Sequence, residues 1–127
     1  MIIADTDVLI DFLAGHEPAA SAVGHELGRG NLRTTVISRF ELLVGALTAQ
    51  QKKAVRDLLG SVPALVVDAA SSDKAASVRR DLERAGQTIG MADCLIAGVS
   101  LVAGAPLLTR NVGHFARVRE LEVIEPT

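Results

Sequence analysis

Short β-type runs alternate with helical stretches along this chain, which predicts an α/β fold with a central, mainly parallel sheet covered by helices on both faces. Composition allows it. The 127 residues are 49% apolar and 22% charged, which suits one well-packed domain spanning 1–127 rather than a disordered tail. No internal repeat, low-complexity tract or linker interrupts the alternation, so four to five strands are expected in one continuous unit.

Ile2 to Ala4 reads as a short buried strand, followed by a helix from Thr6 to Ala14 with Val8, Leu9, Phe12 and Leu13 inward and Gly15 ending it. Pro18 suits the first turn of a second helix, which runs toward Leu27 and stops at Gly28-Arg29-Gly30-Asn31. Leu32 to Ile37 carries the β-branched run of the second strand. Ser38 then opens a helix whose apolar residues Phe40, Leu43, Val44 and Leu47 recur at helical spacing. Gln50 to Leu59 is helical through Val55, Leu58 and Leu59, and Leu65 to Val67 is the third strand. Ser71 to Ala85 is amphipathic, with Ala75, Val78 and Leu82 inward and Arg79, Arg80, Glu83 and Arg84 solvated. Gly90 to Ala103 is a buried helix, Leu107 and Leu108 the fourth strand, and Val123 and Ile124 an edge strand.

Several function classes fall away. Cys94 is the one cysteine, so there is no internal disulfide and no thiolate metal site. The opening MIIADTDV lacks a basic segment and meets an acid at once, unlike a signal peptide, and a reducing, cytoplasmic setting is expected. The charge-poor stretch from Ala85 to Thr109 is broken by Gly86, Gln87, Gly90, Asp93, Gly104 and Pro106, so no membrane span is expected. A net charge of −2 gives no global pull on nucleic acid, and any such binding needs a local basic patch. Base stacking has few platforms, since the aromatic residues are Phe12, Phe40 and Phe115.

Asp93 is the only charged residue between Arg84 and Arg110, where ionisation is expensive without a partner. Asp5 follows an apolar start, and Glu41 precedes the uncharged run Leu42 to Gln51. Asp5, Glu41 and Asn111 fall just beyond strands, on the edge where parallel sheets bind ligands; Asp93 joins them if its helix starts on the same rim. Carboxylates without His or Cys form a hard-oxygen site for Mg²⁺ or Mn²⁺, and a metal-acidified water attacking a phosphodiester is nuclease chemistry.

Each acid also has a plain structural role open to it. Glu41 completes a capping box with Ser38, Asp5 caps the first helix, and Asp93 sits in a first helical turn. Asp7 and Asp11, spaced i and i+4, read as a solvated face, with outer contact to metal or substrate open to Asp7. Asn111 offers an amide oxygen or is a turn residue. Thr6, Ser38 and Thr109 are placed to bond the carboxylates or their waters, and His114 suits a structural or substrate contact better than metal ligation. Arg39, Arg110, Arg117 and Arg119 form either a phosphate-binding rim or scattered solvated charges.

Four segments carry a family likeness over nearly the whole chain: Asp5-Thr6-Asp7-Val8-Leu9-Ile10-Asp11; Ile37-Ser38 through Glu41-Leu42 with Gly45; Gly90-Met91-Ala92-Asp93-Cys94-Leu95-Ile96-Ala97; and Leu108-Thr109-Arg110-Asn111-Val112-Gly113-His114-Phe115. In this order they resemble the PIN-domain nucleases, and more closely the VapC-type toxins of prokaryotic toxin–antitoxin pairs. The resemblance implies a three-layer α/β/α sandwich, a Mg²⁺ or Mn²⁺ site of Asp5, Glu41 and Asp93 assisted by Asn111, and cleavage of RNA. It also implies a homodimer and a small VapB-like antitoxin whose C-terminal segment covers the active site. Asn111 stands where many members carry Asp, which bears on a second metal.

Three other readings compete. A haloacid-dehalogenase-like phosphotransferase would use Asp5 and Asp7, but Val8 sits one place early for that motif and the last lysine is Lys74. A receiver-like signalling module would use Asp68 and needs a later Lys. An inactive PIN domain kept for binding is the third.

Overall fold

The computed structural model describes residues 1–127. Its strands are β1 (Ile2–Ala4), β2 (Leu32–Thr35), β3 (Ala64–Leu65), β4 (Leu107–Leu108) and β5 (Val123–Ile124), paired in parallel in the order β3-β2-β1-β4-β5. Its helices are α1 (Thr6–Ala14), α2 (Ala19–Gly28), α3 (Val36–Gly45), α4 (Ala49–Ser61), α5 (Ala69–Arg84), α6 (Met91–Ala103) and the short α7 (Val112–Phe115). No helix is long and apolar enough to cross a membrane.

Strand periodicity divides the core in two. Successive residues of a strand point to opposite faces. Ile2, Ala4, Leu32 and Leu108 therefore pack with residues of α1, α2, α3 and α4, while Ile3 and Leu107 pack on the other face with α5, α6 and Phe115. The central strand β1 is buried on both sides, which is why it reads as an unbroken apolar run. The second layer is tight where α5 crosses α6. A Cβ on Gly98 would stand 2.6 Å from the Ser71 carbonyl oxygen and 2.9 Å from the Ala75 Cβ, so only glycine fits that approach.

Five expectations are corrected. α3 begins at Val36 because the Thr35 side chain accepts from the Ser38 amide at 3.1 Å, so half of the β-branched run is helical. Ser38 is thus inside the helix, and the capping box proposed for Glu41 is absent; the capping box of the chain belongs to Thr48 and Gln51 at the start of α4. β3 stops at Leu65 because β2 ends opposite it at Thr35, leaving Val66 without a ladder partner. The apolar stripe of α3 faces outward. Phe40 is 66% exposed and Leu47 78%, whereas Ser38 and Leu42 turn inward; periodicity identifies a stripe but not what covers it. Leu13 is likewise exposed.

Candidate active site

Asp5 leaves β1 and caps α1, accepting from the Thr6 amide at 2.8 Å through Oδ1. Its Oδ2 accepts at 2.8 Å from the hydroxyl of Thr109, which leaves β4 and is itself buried. The capping and site readings therefore describe one side chain. Burial, reinforced by the charge of Asp7, pushes the Asp5 carboxyl up to about 6.

Thr6 turns to the neighbouring strand's helix. Its Oγ1 lies 2.7 Å from Glu41 Oε1 and 2.9 Å from Ser38 Oγ, so its single proton goes to the carboxylate while Ser38 holds the hydroxyl from behind. Asp93, in the first turn of α6, reaches the same rim, with Oδ2 3.7 Å from His114 Nδ1. Desolvation raises its carboxyl above the ordinary range; the nearby His114 imidazole opposes this, and the charges of Glu41 and Asp7 add to it. These acids sense one another, but no three acidic, His or Cys groups stand close enough to hold one cation as the side chains lie. Each carboxylate is instead occupied by a nearby hydroxyl, amide or imidazole.

Asp7 and Asp11 of α1, expected on a solvated face, instead pack toward β4, Asp7 half-buried and Asp11 buried. Asp11 is buried and pairs with Arg110, whose Nε lies 2.5 Å from Asp11 Oδ2. Asp7 Oδ2 accepts from the Arg110 amide at 3.0 Å and lies 3.4 Å from Thr109 Oγ1, while its Oδ1 is buried without a hydrogen-bond partner. Spacing could not reveal this, because the partners come from the far end of the chain.

The expected arginine rim is divided. Arg110 clamps α1, Arg39 is exposed, and Arg117 donates to the Thr88 carbonyl at 3.3 Å. Arg117 and Arg119, with Lys74, line a separate cleft of about 350 Å³ that none of the rim acids lines. Asn111 turns its amide toward His114, with Nδ2 2.9 Å from Nδ1. Asp68, the acid of the receiver-like alternative, caps α5 by accepting from Ser71, and those bonds hold its carboxyl below the ordinary range. Beside the rim, Ile10, Leu13, Leu42, Ala46 and Val55 line a cavity of about 380 Å³ that Glu41 also borders.

A model of the PIN domain matches residues 2–121, nearly the whole chain. The chain belongs to the PIN-domain family. This PIN domain is 33% identical over 122 residues to ribonuclease VapC10 of Mycobacterium tuberculosis, covering 96% of this chain and 91% of that one. It is 27% identical to the tRNA(fMet)-specific endonuclease VapC of Shigella flexneri, covering 90% and 89%. The PIN fold superposes on a chain of VapBC2 from Rickettsia felis, bound to a promoter DNA fragment, with a TM-score of 0.87, 21% identity and 98% of both chains covered. VapBC-1 from nontypeable Haemophilus influenzae gives a TM-score of 0.83 at 26% identity, again over 98% of both chains.

Proposed function

We propose that this PIN domain is a Mg²⁺- or Mn²⁺-dependent endoribonuclease and the toxin of a toxin–antitoxin pair. The observation that carries it is that Asp5, Glu41 and Asp93, delivered by separate elements, share one rim, and that Asp5 and Asp93 are hard to ionise there. The donor set fits a hard divalent cation, since it is all oxygen, and the unpartnered Asp7 oxygen marks unmet charge beside it. Asp5, Glu41 and Asp93 would hold the ion, with Asn111 assisting. When bound, it supplies an acidified water and neutralises charge on the phosphodiester oxygens.

The chain's own residues prepare that site. Thr109 and the Thr6 amide fix both oxygens of Asp5, so its orientation is set before any ligand arrives. Thr6 and Ser38 steady Glu41, and His114, held by Asn111, sits against Asp93. Arg39, Arg110 and His114 are the proposed contacts to RNA phosphates at the rim, with Arg110 also bracing Asp11, while Arg117 could meet RNA only from its separate cleft.

The partners follow from surface and kinship. Relatives of this chain are ribonucleases, and similar folds occur in toxin–antitoxin complexes. The outward stripe of Phe40, Leu43, Val44 and Leu47 and the neighbouring apolar cavity are surfaces of the kind that soluble proteins cover with a partner, here a second copy and a small antitoxin. The test is cleavage of single-stranded RNA with Mg²⁺, followed by end-group analysis. Attack by water leaves a 5′-phosphate and a 3′-hydroxyl, and EDTA stops the reaction; a cyclic phosphate or EDTA-resistant cleavage contradicts the proposal. Expression with the upstream reading frame should relieve growth arrest and yield a heteromeric complex on size exclusion.

A further inference from the structure

We propose that Asp11 is a positioning residue for RNA cleavage that acts through Arg110, anchoring its side chain so that Thr109-Arg110-Asn111 is held against the acidic rim; this rests on the ribonuclease reading above, and not on how the rim holds a cation. Asp11 stands where the fold alone has little use for a carboxylate. It is 8% exposed and lies in the last turn of α1, a turn with no basic residue, where the helix dipole disfavours negative charge. Its partner comes from 99 residues away: Arg110 Nε lies 2.5 Å from Oδ2, and Arg110 Nη2 donates to Oδ1 at 3.4 Å. His16, with Nδ1 3.9 Å from Oδ1, is 73% exposed and adds little. A buried ion pair contributes little net stability, so its use here is the geometry it fixes.

That geometry concerns three consecutive residues. β4 ends at Leu108 and α7 starts at Val112, so residues 109–111 lie between elements. Each nonetheless reaches the rim. The Thr109 hydroxyl donates to Asp5 at 2.8 Å, the Arg110 amide donates to Asp7 at 3.0 Å, and the Asn111 side chain meets His114 Nδ1 at 2.9 Å, beside Asp93. The Asn111 backbone N–H donates to Thr109 Oγ1 at 3.0 Å, which leaves the Thr109 proton for Asp5. Arg110 is the middle residue, and Asp11 is the carboxylate its guanidinium grips. Freeing that side chain loosens the segment at its centre, between the residues that hold Asp5 and His114.

The experiment follows cleavage of single-stranded RNA by the full chain with Mg²⁺, separating kcat from KM, in Asp11→Asn, Arg110→Met, Arg110→Lys and the double variant Asp11→Asn/Arg110→Met. Asp11→Asn is expected to lower kcat about tenfold with KM within about twofold of the wild type, the pattern of lost positioning rather than lost binding. In the Arg110→Met background the same change should alter kcat by less than about twofold, since the anchor has nothing left to hold. Amide exchange by NMR gives a readout that needs no activity. The Arg110 and Asn111 amides should exchange about tenfold faster in Asp11→Asn, while the Ile3 amide of β1 keeps the wild-type rate. An unchanged kcat, a loss carried by KM, an additive double variant or unaltered exchange at Arg110 overturns the proposal. A uniform rise that includes Ile3 overturns it too, because Asp11 would then serve general stability. If Asp11→Asn does not fold, the Arg110 variants decide. Arg110→Lys keeps a cation for Asp11 and should retain at least about threefold more kcat than Arg110→Met, and equal losses overturn the proposal. Wild-type protein that leaves RNA uncut removes the ribonuclease reading, whereas exchange at Arg110 still reads the anchor, so the two failures are distinguishable.

Discussion

Asp5 and Glu41 belong to one rim but are held in opposite ways. Asp5 is 6% exposed, with one oxygen on a backbone amide and the other on a buried hydroxyl. Glu41 is exposed, and the Thr6 hydroxyl is its one hydrogen bond. The β1–β4 side of the rim, with Asp7, Thr109, Arg110 and Asp11, is cross-linked in advance. The Glu41–Asp93 side rests on single contacts. A rim built this way fixes register on one side only.

The largest expected effect tests that both sides serve one reaction. Asp5→Asn and Glu41→Gln should each lower RNA cleavage by about 100-fold or more, since either removes a charge that the reaction needs. A mild loss in Glu41→Gln, read by single-turnover cleavage, would break the pairing of the two sides.

Their pH behaviour should differ. The Asp5 carboxyl holds its proton more tightly folded than unfolded, so the stability tied to it is fully present below the ordinary 3.8 and is lost as pH rises through about 6. Metal-free protein should therefore gain about 1.3 kcal/mol from Asp5 between pH 7 and pH 5, and Asp5→Asn should reduce that dependence in urea melts. No dependence in the wild type would mean Asp5 is not desolvated.

Thr109→Val removes the buried donor to Asp5 and should cost about 2 kcal/mol of metal-free stability, whereas Thr6→Val, beside the exposed Glu41, should cost under about 1 kcal/mol. Equal costs would erase the contrast between the two sides. At the small end, Phe40→Ser should change monomer stability by no more than about 0.5 kcal/mol, because the ring is 66% exposed, yet reduce the mass on light scattering.

Much of this was legible in sequence. The alternation of strand and helix shows the parallel order, and the isolation of Asp93 in apolar sequence signals a carboxylate with a purpose. The boundary at Thr35 was hidden because Val36 and Ile37 favour strands, and a side-chain cap overrode that preference. The outward stripe of α3 was hidden because the helical period is the same whether a stripe meets the core or a partner. Asp11 and Arg110 were unreadable as a pair, for nothing local in either residue names a contact across the sheet. Asp5 and Thr6 were easier, since both follow the end of β1 directly, whereas Glu41 lies inside α3.

The central claim is that the acids crowd together to hold a cation, and Asp93→Asn tests it most directly. The variant should be inactive on RNA, melt in EDTA at least as high as the wild type because like-charge repulsion is relieved, and lose most of the stabilisation that Mn²⁺ adds. A clear fall in the EDTA melting temperature, with the Mn²⁺ gain intact, would instead make Asp93 a structural residue of the α6 N-terminus and contradict the account.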